Sequence, residues 1–487
     1  MSGDVQRGRW RWLEDGSPFA LRLALAACTA CTALLVSACM GGDAAESPAD
    51  SKVAACRAKA GQDEQLACFT ALYEVTPLET PPAVSDALFT AGQDLFTSTK
   101  LSGTGNASCN SCHANNNAGV ESRSAEGLVR PLHISLRGGA PDDPANTASL
   151  HRNANDLVNK LLGNPRSMFW DGRVALEDGG GYTTPAGAKL PGGLDSLLAA
   201  QALFPLLARE EMLGFAIGSN GGKSENTSAN VADPVEADPQ PVWDAAMQRV
   251  MADPVLSAKL AAAFPALAPA SLGIQHVANA LAGFQTRRWN AASFVSGFHG
   301  WLRDRSRWPI SEAALRGGLL FFDKAGCARC HSGPRLTDWK FHNLAVPQIG
   351  PGFGTGANET PKSDKGRYEV TRQDADLYAF VTPSLWEVRA TAPYFHNGVY
   401  DSLEKTVRHH LDATTYAQSF RCASDAPLVQ PGIQVACRDS LGAAAFYADM
   451  TKRVAEEMKT PIALSDSEVA DLVAFLNQLA NGSNNTP

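Results

Sequence analysis

The sequence has no basic block. Its 42 lysines and arginines are scattered through 487 residues and outnumbered by 50 acidic residues, for a net charge of −8. That excludes a nucleic-acid binder, which needs clustered positive charge. No alternating strand pattern of any length is present, so a sandwich or barrel is excluded and a mostly α chain is predicted. Long apolar runs are equally scarce. One run, Leu23–Val36, follows Arg7, Arg9, Arg11 and Arg22, and is too short for a spanning helix. It ends Val36-Ser37-Ala38-Cys39, small residues before a cysteine as in a bacterial lipobox. Residues 1–38 therefore read as a lipoprotein signal peptide, with Cys39 lipidated and the mature chain held to a membrane only through that lipid. Met40 rather than Asp follows the cysteine, which points to the outer membrane, facing the periplasm. A plain signal peptide cut nearby is the alternative.

Cysteine is sparse but ordered. Of 11, Cys28 and Cys31 leave with the signal. Four others form two copies of one motif: Cys109-Asn-Ser-Cys112-His113 and Cys327-Ala-Arg-Cys330-His331. Cys-x-x-Cys-His is the attachment sequence of c-type haem: the thiols add to the vinyl groups and the histidine is the proximal iron ligand. A zinc site built from both pairs explains neither the adjoining histidines nor the export signal. Cys56, Cys68, Cys422 and Cys437 remain, an even number in an oxidising compartment, and the short-loop pairings are Cys56–Cys68 and Cys422–Cys437. Four free buried thiols are the alternative.

A weak repeat precedes the two motifs. Gly92-Gln-Asp-Leu95-Phe96 leads into the first, and Gly317-Gly-Leu-Leu320-Phe321 into the second. Both look like an amphipathic helix running into the cysteine pair. The expected division is a tether and small disulfide-bridged helical extension over 39–84, a first haem domain over 85–300 and a second over 305–482. Helical patterns run over Ser196–Leu207, Leu272–Arg287, Leu403–Leu411 and Ser465–Leu479, the last opening on a capping box, Ser465 to Glu468. Gly179–Gly193 and Ser219–Pro241 read as loops.

The axial ligands decide what such haems can do. A filled iron shuttles electrons and an open one can bind peroxide or oxygen. In the segment Leu403–Leu411, helical spacing puts Leu403, Val407, His410 and Leu411 on one face, so His410 is expected inward and His409 outward. An iron is a strong partner for the buried ring; a backbone carbonyl is the alternative. His133, His151, His276, His299, His342 and His396 carry no such signal.

Several segments in fixed order around the two motifs carry a resemblance. They are Leu101–His113, Phe169-Trp170-Asp171-Gly172-Arg173, Pro383-Ser-Leu, Ala392-Pro-Tyr-Phe-His-Asn-Gly398 and Ser402-Leu-Glu404. From about Ala87 to the C-terminus the chain resembles the bacterial di-haem cytochrome c peroxidase and MauG family. The resemblance implies two cytochrome c-like haem domains with long loops, an N-terminal haem that binds peroxide and a C-terminal haem that passes electrons. It implies that Trp170 couples the haems. It puts Gln201, Pro205 and Glu211 over the open first haem, with Glu211 carrying the peroxide proton and Gln201 orienting it; Glu210 is the rival acid. His410 falls on the distal ligand of the second haem, where the peroxidases have Met and MauG has Tyr. A His there should lower that haem's potential, since Met raises it. The resemblance further implies one calcium ion between the domains, on Asn153 and the carbonyls of Thr391 and Pro393. The expected activity is hydrogen peroxide reduction to water with electrons from a small cytochrome c or cupredoxin. The alternative is a MauG-like oxidation of a protein or small molecule. A third reading, a plain electron carrier with no open iron, is disfavoured by the Gln–Pro–Glu trio.

Overall fold

A computed structural model describes residues 48–105, 107–113, 118, 133–135, 147–149, 152–214, 235–290, 297–349, 363–422 and 443–480. The expected signal peptide and lipidation site, and Cys437, lie outside them. From Lys52 onward the chain forms one compact unit. Its principal helices are α1 (Pro48–Arg57), α2 (Gln62–Leu72), α3 (Asp86–Thr97), α4 (Leu197–Ala202), α5 (Ile274–Arg288), α6 (Gly297–Arg303), α7 (Glu312–Phe322), α8 (Leu403–Leu411) and α9 (Asp466–Asn477). Strands among the described residues are two or three residues long, so the fold is mostly α.

The weak repeat has a spatial counterpart. Ser85 caps α3, its Oγ accepting from Leu88 N, and Ser311 caps α7 in the same way through Ala314 N. α3 packs on α5 and α7 packs on α9. A Cβ on Gly92 would collide with the carbonyl oxygen of Ala280, and one on Gly317 with that of Asp471. Glycine is thus needed at both crossings, because each helix pair touches backbone to backbone. One turn later Phe96 lies 6.5 Å from the His113 ring at 49°, and Phe321 lies 6.5 Å from the His331 ring at 46°. Each helix carries an aromatic ring against the histidine of its motif.

Three buried apolar clusters fill the unit. The first draws on residues from Ala91 to Trp289, the third on Ala345 to Val454. The second joins α7 and α9 to Cys56, Leu66 and Phe69 of the N-terminal extension and to Phe298 and Trp301 of α6. The extension therefore docks on the C-terminal half. Cys56 and Cys68 are bonded, Arg57 pairs with Asp323 at 2.8 Å, and Trp301 Nε1 donates to Asp63 at 2.8 Å. Leu78 N donates to Nε2 of buried His299 at 3.0 Å. Cys422 is also disulfide-bonded, its partner lying outside the described residues.

Two expected elements differ. The segment Ser196–Leu207 is helical only over α4, because Pro205 has no N–H to give and pushes its predecessor out of the helical region. The insert Gly179–Gly193 is not a plain loop. Tyr182–Thr183 forms the edge of an antiparallel sheet with Val174–Leu176 and Ser167–Met168. Ser219–Pro241 lies largely outside the described residues, and its last two residues open the helix Gln240–Ala252.

Candidate active site

The segment Phe169–Arg173 is the hairpin loop between the first two strands of that sheet. Phe169 turns it with φ of +68°, and the Arg173 guanidinium covers the Phe169 ring at 3.8 Å. Trp170 is thereby set at the tip. Its indole Nε1 donates to Asn153 O at 2.9 Å and its carbonyl accepts from Val381 N at 2.9 Å. Asn153 precedes the loop and Val381 belongs to the C-terminal half, so the ring is held from one side and the backbone of the same residue from the other.

Trp170 lines a cavity of about 420 Å³. Both motifs line the same cavity: Cys109, Cys112 and His113, and Cys327, Cys330 and His331. None of the four cysteines is in a disulfide. Gln201, Pro205 and Glu211 also border it, with Gln201 on α4 and Glu211 in a π-helical turn, Arg209–Leu213. That turn is built by Leu213 N reaching back to Ala208 O, a register that recurs at functional sites. Glu211 lies close enough to Cys109 to help raise its thiol pKa, although burial is the larger cause. The trio and the first motif are thus brought together. The side chain of Glu210 is outside the described residues.

The second motif faces α8. His331 Nδ1 bonds Leu336 O at 3.0 Å and His410 Nδ1 bonds Thr406 O at 2.8 Å. Each ring commits Nδ1 to a backbone carbonyl, the tautomer that leaves Nε2 as a lone-pair donor. Both rings line the cavity. Burial lowers both pKa values, His331 to about 4 with a further push from His410, which keeps the rings neutral as ligands must be.

His409 corrects the sequence reading. It does not point outward: it is fully buried, with Nδ1 on Tyr400 Oη at 3.1 Å and Nε2 on Leu344 O at 2.8 Å. Phe395, Tyr400 and Tyr416 surround it. α8 is covered on two sides, by the cavity and by the third cluster, and periodicity marks only one. With both nitrogens engaged, His409 is a packing residue and His410 alone offers a nitrogen to the cavity.

The expected calcium positions also converge in part. Asn153 Nδ2 contacts Pro393 O at 2.5 Å, and both residues line the cavity with Thr391. Thr391 Oγ1 donates to Val388 O at 2.9 Å. His133 and His151 fall outside what can be described of side chains. Among the described residues one trio has metal-type donors within 4.8 Å of one another: Cys330, Asp338 and His342. Cys330 is an expected attachment thiol, and haem addition would turn it into a thioether and break the trio.

The matching family model is that of the di-haem cytochrome c peroxidases, over residues 86–307. The methylamine utilization protein MauG of Methylorubrum extorquens is 30% identical over 324 residues, 66% of this chain and 67% of the relative. Cytochrome c551 peroxidase of Pseudomonas aeruginosa is 33% identical over 96 residues, 20% of this chain and 26% of its own. The crystal structure of the diheme peroxidase BthA from Burkholderia thailandensis has the same fold, with TM-score 0.53 and 20% identity over 84% of this chain and 92% of that one. The chain belongs to the di-haem cytochrome c peroxidase and MauG family. It is an oxidoreductase, and membership implies two c-type haems. The residues present fit them: two cysteine pairs outside any disulfide, each with an adjoining histidine, and a neutral His331–His410 pair, all on one cavity.

Sequence reasoning missed the ionic frame behind the family's hairpin. Arg152, its side chain 8% exposed, donates to Asp171 at 2.6 Å and to Asp364 at 2.7 Å, so one guanidinium ties the hairpin to the C-terminal half. Burial pushes Asp171 up, but Arg173 and Arg152 outweigh it and hold the carboxyl at about 2. Asp364 is lowered in the same balance. Arg367 adds donations to the carbonyls of Asp171 and Gly172, each at 2.8 Å. Asp171 and Arg173 were visible in the hairpin segment. Nothing in the chain joined them to Arg152 or Asp364, which are 212 residues apart.

Proposed function

We propose that the chain is a peroxidase that reduces hydrogen peroxide to water at the N-terminal haem, with electrons entering through the C-terminal haem. The observation that carries this is the sharing of one cavity by Gln201, Pro205, Glu211 and the first motif, while the second motif faces His410. Bound haem supplies the redox chemistry and a coordination position for peroxide. Glu211 accepts the proton of the near peroxide oxygen and returns it to the far oxygen, which leaves as water. Gln201 orients the peroxide through its amide, and Pro205 closes the pocket over it without competing N–H. Trp170 joins the two halves of the cavity and serves as the electronic bridge. His331 and His410 would hold the second haem, which would then supply electrons.

Reduced small cytochrome c or cupredoxin is the expected donor. Steady-state peroxide consumption with each donor tests the reading: turnover that rises with donor supports it. Peroxide consumption that no such donor accelerates would favour the second reading, a MauG-like oxidation of a protein or small molecule. The 30% identity to a MauG protein over most of the chain supports that alternative. The residues also suit a calcium ion held by Asn153 and the carbonyls of Thr391 and Pro393, an oxygen donor set. Export to the periplasm with a lipidated Cys39 on the outer membrane completes the proposal. Mass spectrometry of the membrane-extracted protein, showing an acylated N-terminal cysteine or its absence, decides that part.

A further inference from the structure

Arg335 is 2% exposed and its Nη1 has no hydrogen-bond partner. A guanidinium buried in that condition is costly, so it calls for an anion. The contacts it does make are weak. Nε donates to Ser384 Oγ at 3.3 Å, and the group lies 5.8 Å from the Trp339 ring centre. Asp156 acts on it at a distance but already accepts from Lys160 Nζ at 2.8 Å. Burial lowers the guanidinium to about 10 and lowers the Lys160 ammonium too, as expected of cations short of counter-charge. Arg335, Lys160, Asp156 and Ser384 all line the haem cavity. Two cations against one carboxylate leave one positive charge facing it.

The position along the chain tells which haem is concerned. Arg335 follows His331 by four residues, and the carbonyl of the next residue, Leu336, holds His331 Nδ1. The backbone that fixes the second proximal ligand therefore also fixes Arg335.

We propose that Arg335, backed by Lys160, is the seat of a propionate of the second haem, the Nη1 edge of its guanidinium binding the carboxylate. This rests on the di-haem reading. A planar fork matches a carboxylate, and a charge-assisted pair of this kind is strong when buried. The pairing has a redox consequence. Positive charge at the porphyrin edge favours the reduced iron and offsets part of the lowering that a His–His ligand set imposes.

The test uses the full-length holoprotein. The pyridine haemochrome assay of the parent should give two haems per chain; fewer would sink the di-haem reading itself, whatever Arg335 does. Arg335→Gln, Arg335→Lys and Lys160→Gln are then compared by resonance Raman spectroscopy and spectroelectrochemistry. In Arg335→Gln the propionate-bending band of the second haem should shift and its reduction potential should fall, while the first haem moves less. Arg335→Lys should return both readouts towards the parent, and Lys160→Gln should give a smaller fall. Band and potential unchanged in Arg335→Gln would leave Arg335 a packing residue on Trp339 and overturn the proposal. If acetate or succinate shifts the parent's potential and not that of Arg335→Gln, the seat serves a free carboxylate, which also overturns it. Should Arg335→Gln fail to retain haem, a parent-like potential in Lys160→Gln counts against the proposal and a lowered one supports it.

Discussion

Adjacent residues in this molecule have opposite duties, and substitutions separate them. His410 offers Nε2 to the cavity, so His410→Ala should turn the second haem from low-spin to high-spin, read by electron paramagnetic resonance. His409 spends both nitrogens on Tyr400 and Leu344. His409→Ala should leave the spin states alone and cost about 2–4 kcal/mol of stability, from a cavity plus stranded hydrogen-bond partners, read in a denaturant titration. If His409→Ala changed the spin state instead, the assignment on α8 would be wrong by one residue. Glu211 permits a sharper test. Glu211→Gln keeps the shape but cannot accept a proton. It should preserve haem content and resting spectra while slowing peroxide reduction by about 10²–10⁴-fold, the usual worth of a positioned acid–base group. Unchanged stopped-flow kinetics would move the proton route elsewhere, to Gln201 and water.

Elements obey a symmetry that the residues only hinted at. The crossings of α3 with α5 and of α7 with α9 both need a glycine, and both bring a phenylalanine to a motif histidine. Gly92→Ala and Gly317→Ala should each force a helix pair apart and cost about 1–3 kcal/mol or more. The damage should be local, perturbing the absorption spectrum of the first haem in one variant and of the second haem in the other. Equal disturbance of both haems by either variant would argue against two separable packing units. Much of this was legible in the chain. The attachment motifs, the glycine–aromatic repeat, the capped start of α9 and the exact span of α8 all rest on local spacing, which a sequence displays. The second cover on α8, the strand within the Gly-rich insert, the Arg152 bridge and the unpaired edge of Arg335 rest on contacts between distant segments. No local pattern encodes those, so periodicity put His409 in solvent and said nothing of the ionic frame.

At the scale of the molecule, both halves bond Trp170. Trp170→Phe changes no iron ligand, so both haem spectra should persist, while oxidation of the second haem after peroxide addition should slow in stopped-flow traces. The molecule should also lose stability in mild acid. His299 is buried with Nε2 accepting from Leu78 N–H, which requires the neutral ring. Burial, helped by Arg303, lowers its pKa from 6.5 to about 4. The unfolded chain therefore binds the proton first, and stability falls as pH drops from about 6.5 towards 4. The loss is on the order of 3 kcal/mol for such a shift. His299→Gln, which can still accept from Leu78, should flatten the melting temperature over that window. An unaltered slope would assign the acid sensitivity to other groups.

The shared cavity also governs how such a molecule can be made. Covalent attachment needs thiolates, yet in the closed fold burial pushes Cys109 and Cys327 up to about 12. The finished architecture is thus a poor acceptor for its own prosthetic groups. Attachment is expected to come before the halves close, while the thiols are in water. Loading should succeed on nascent or unfolded chains and stall on a refolded, haem-free protein.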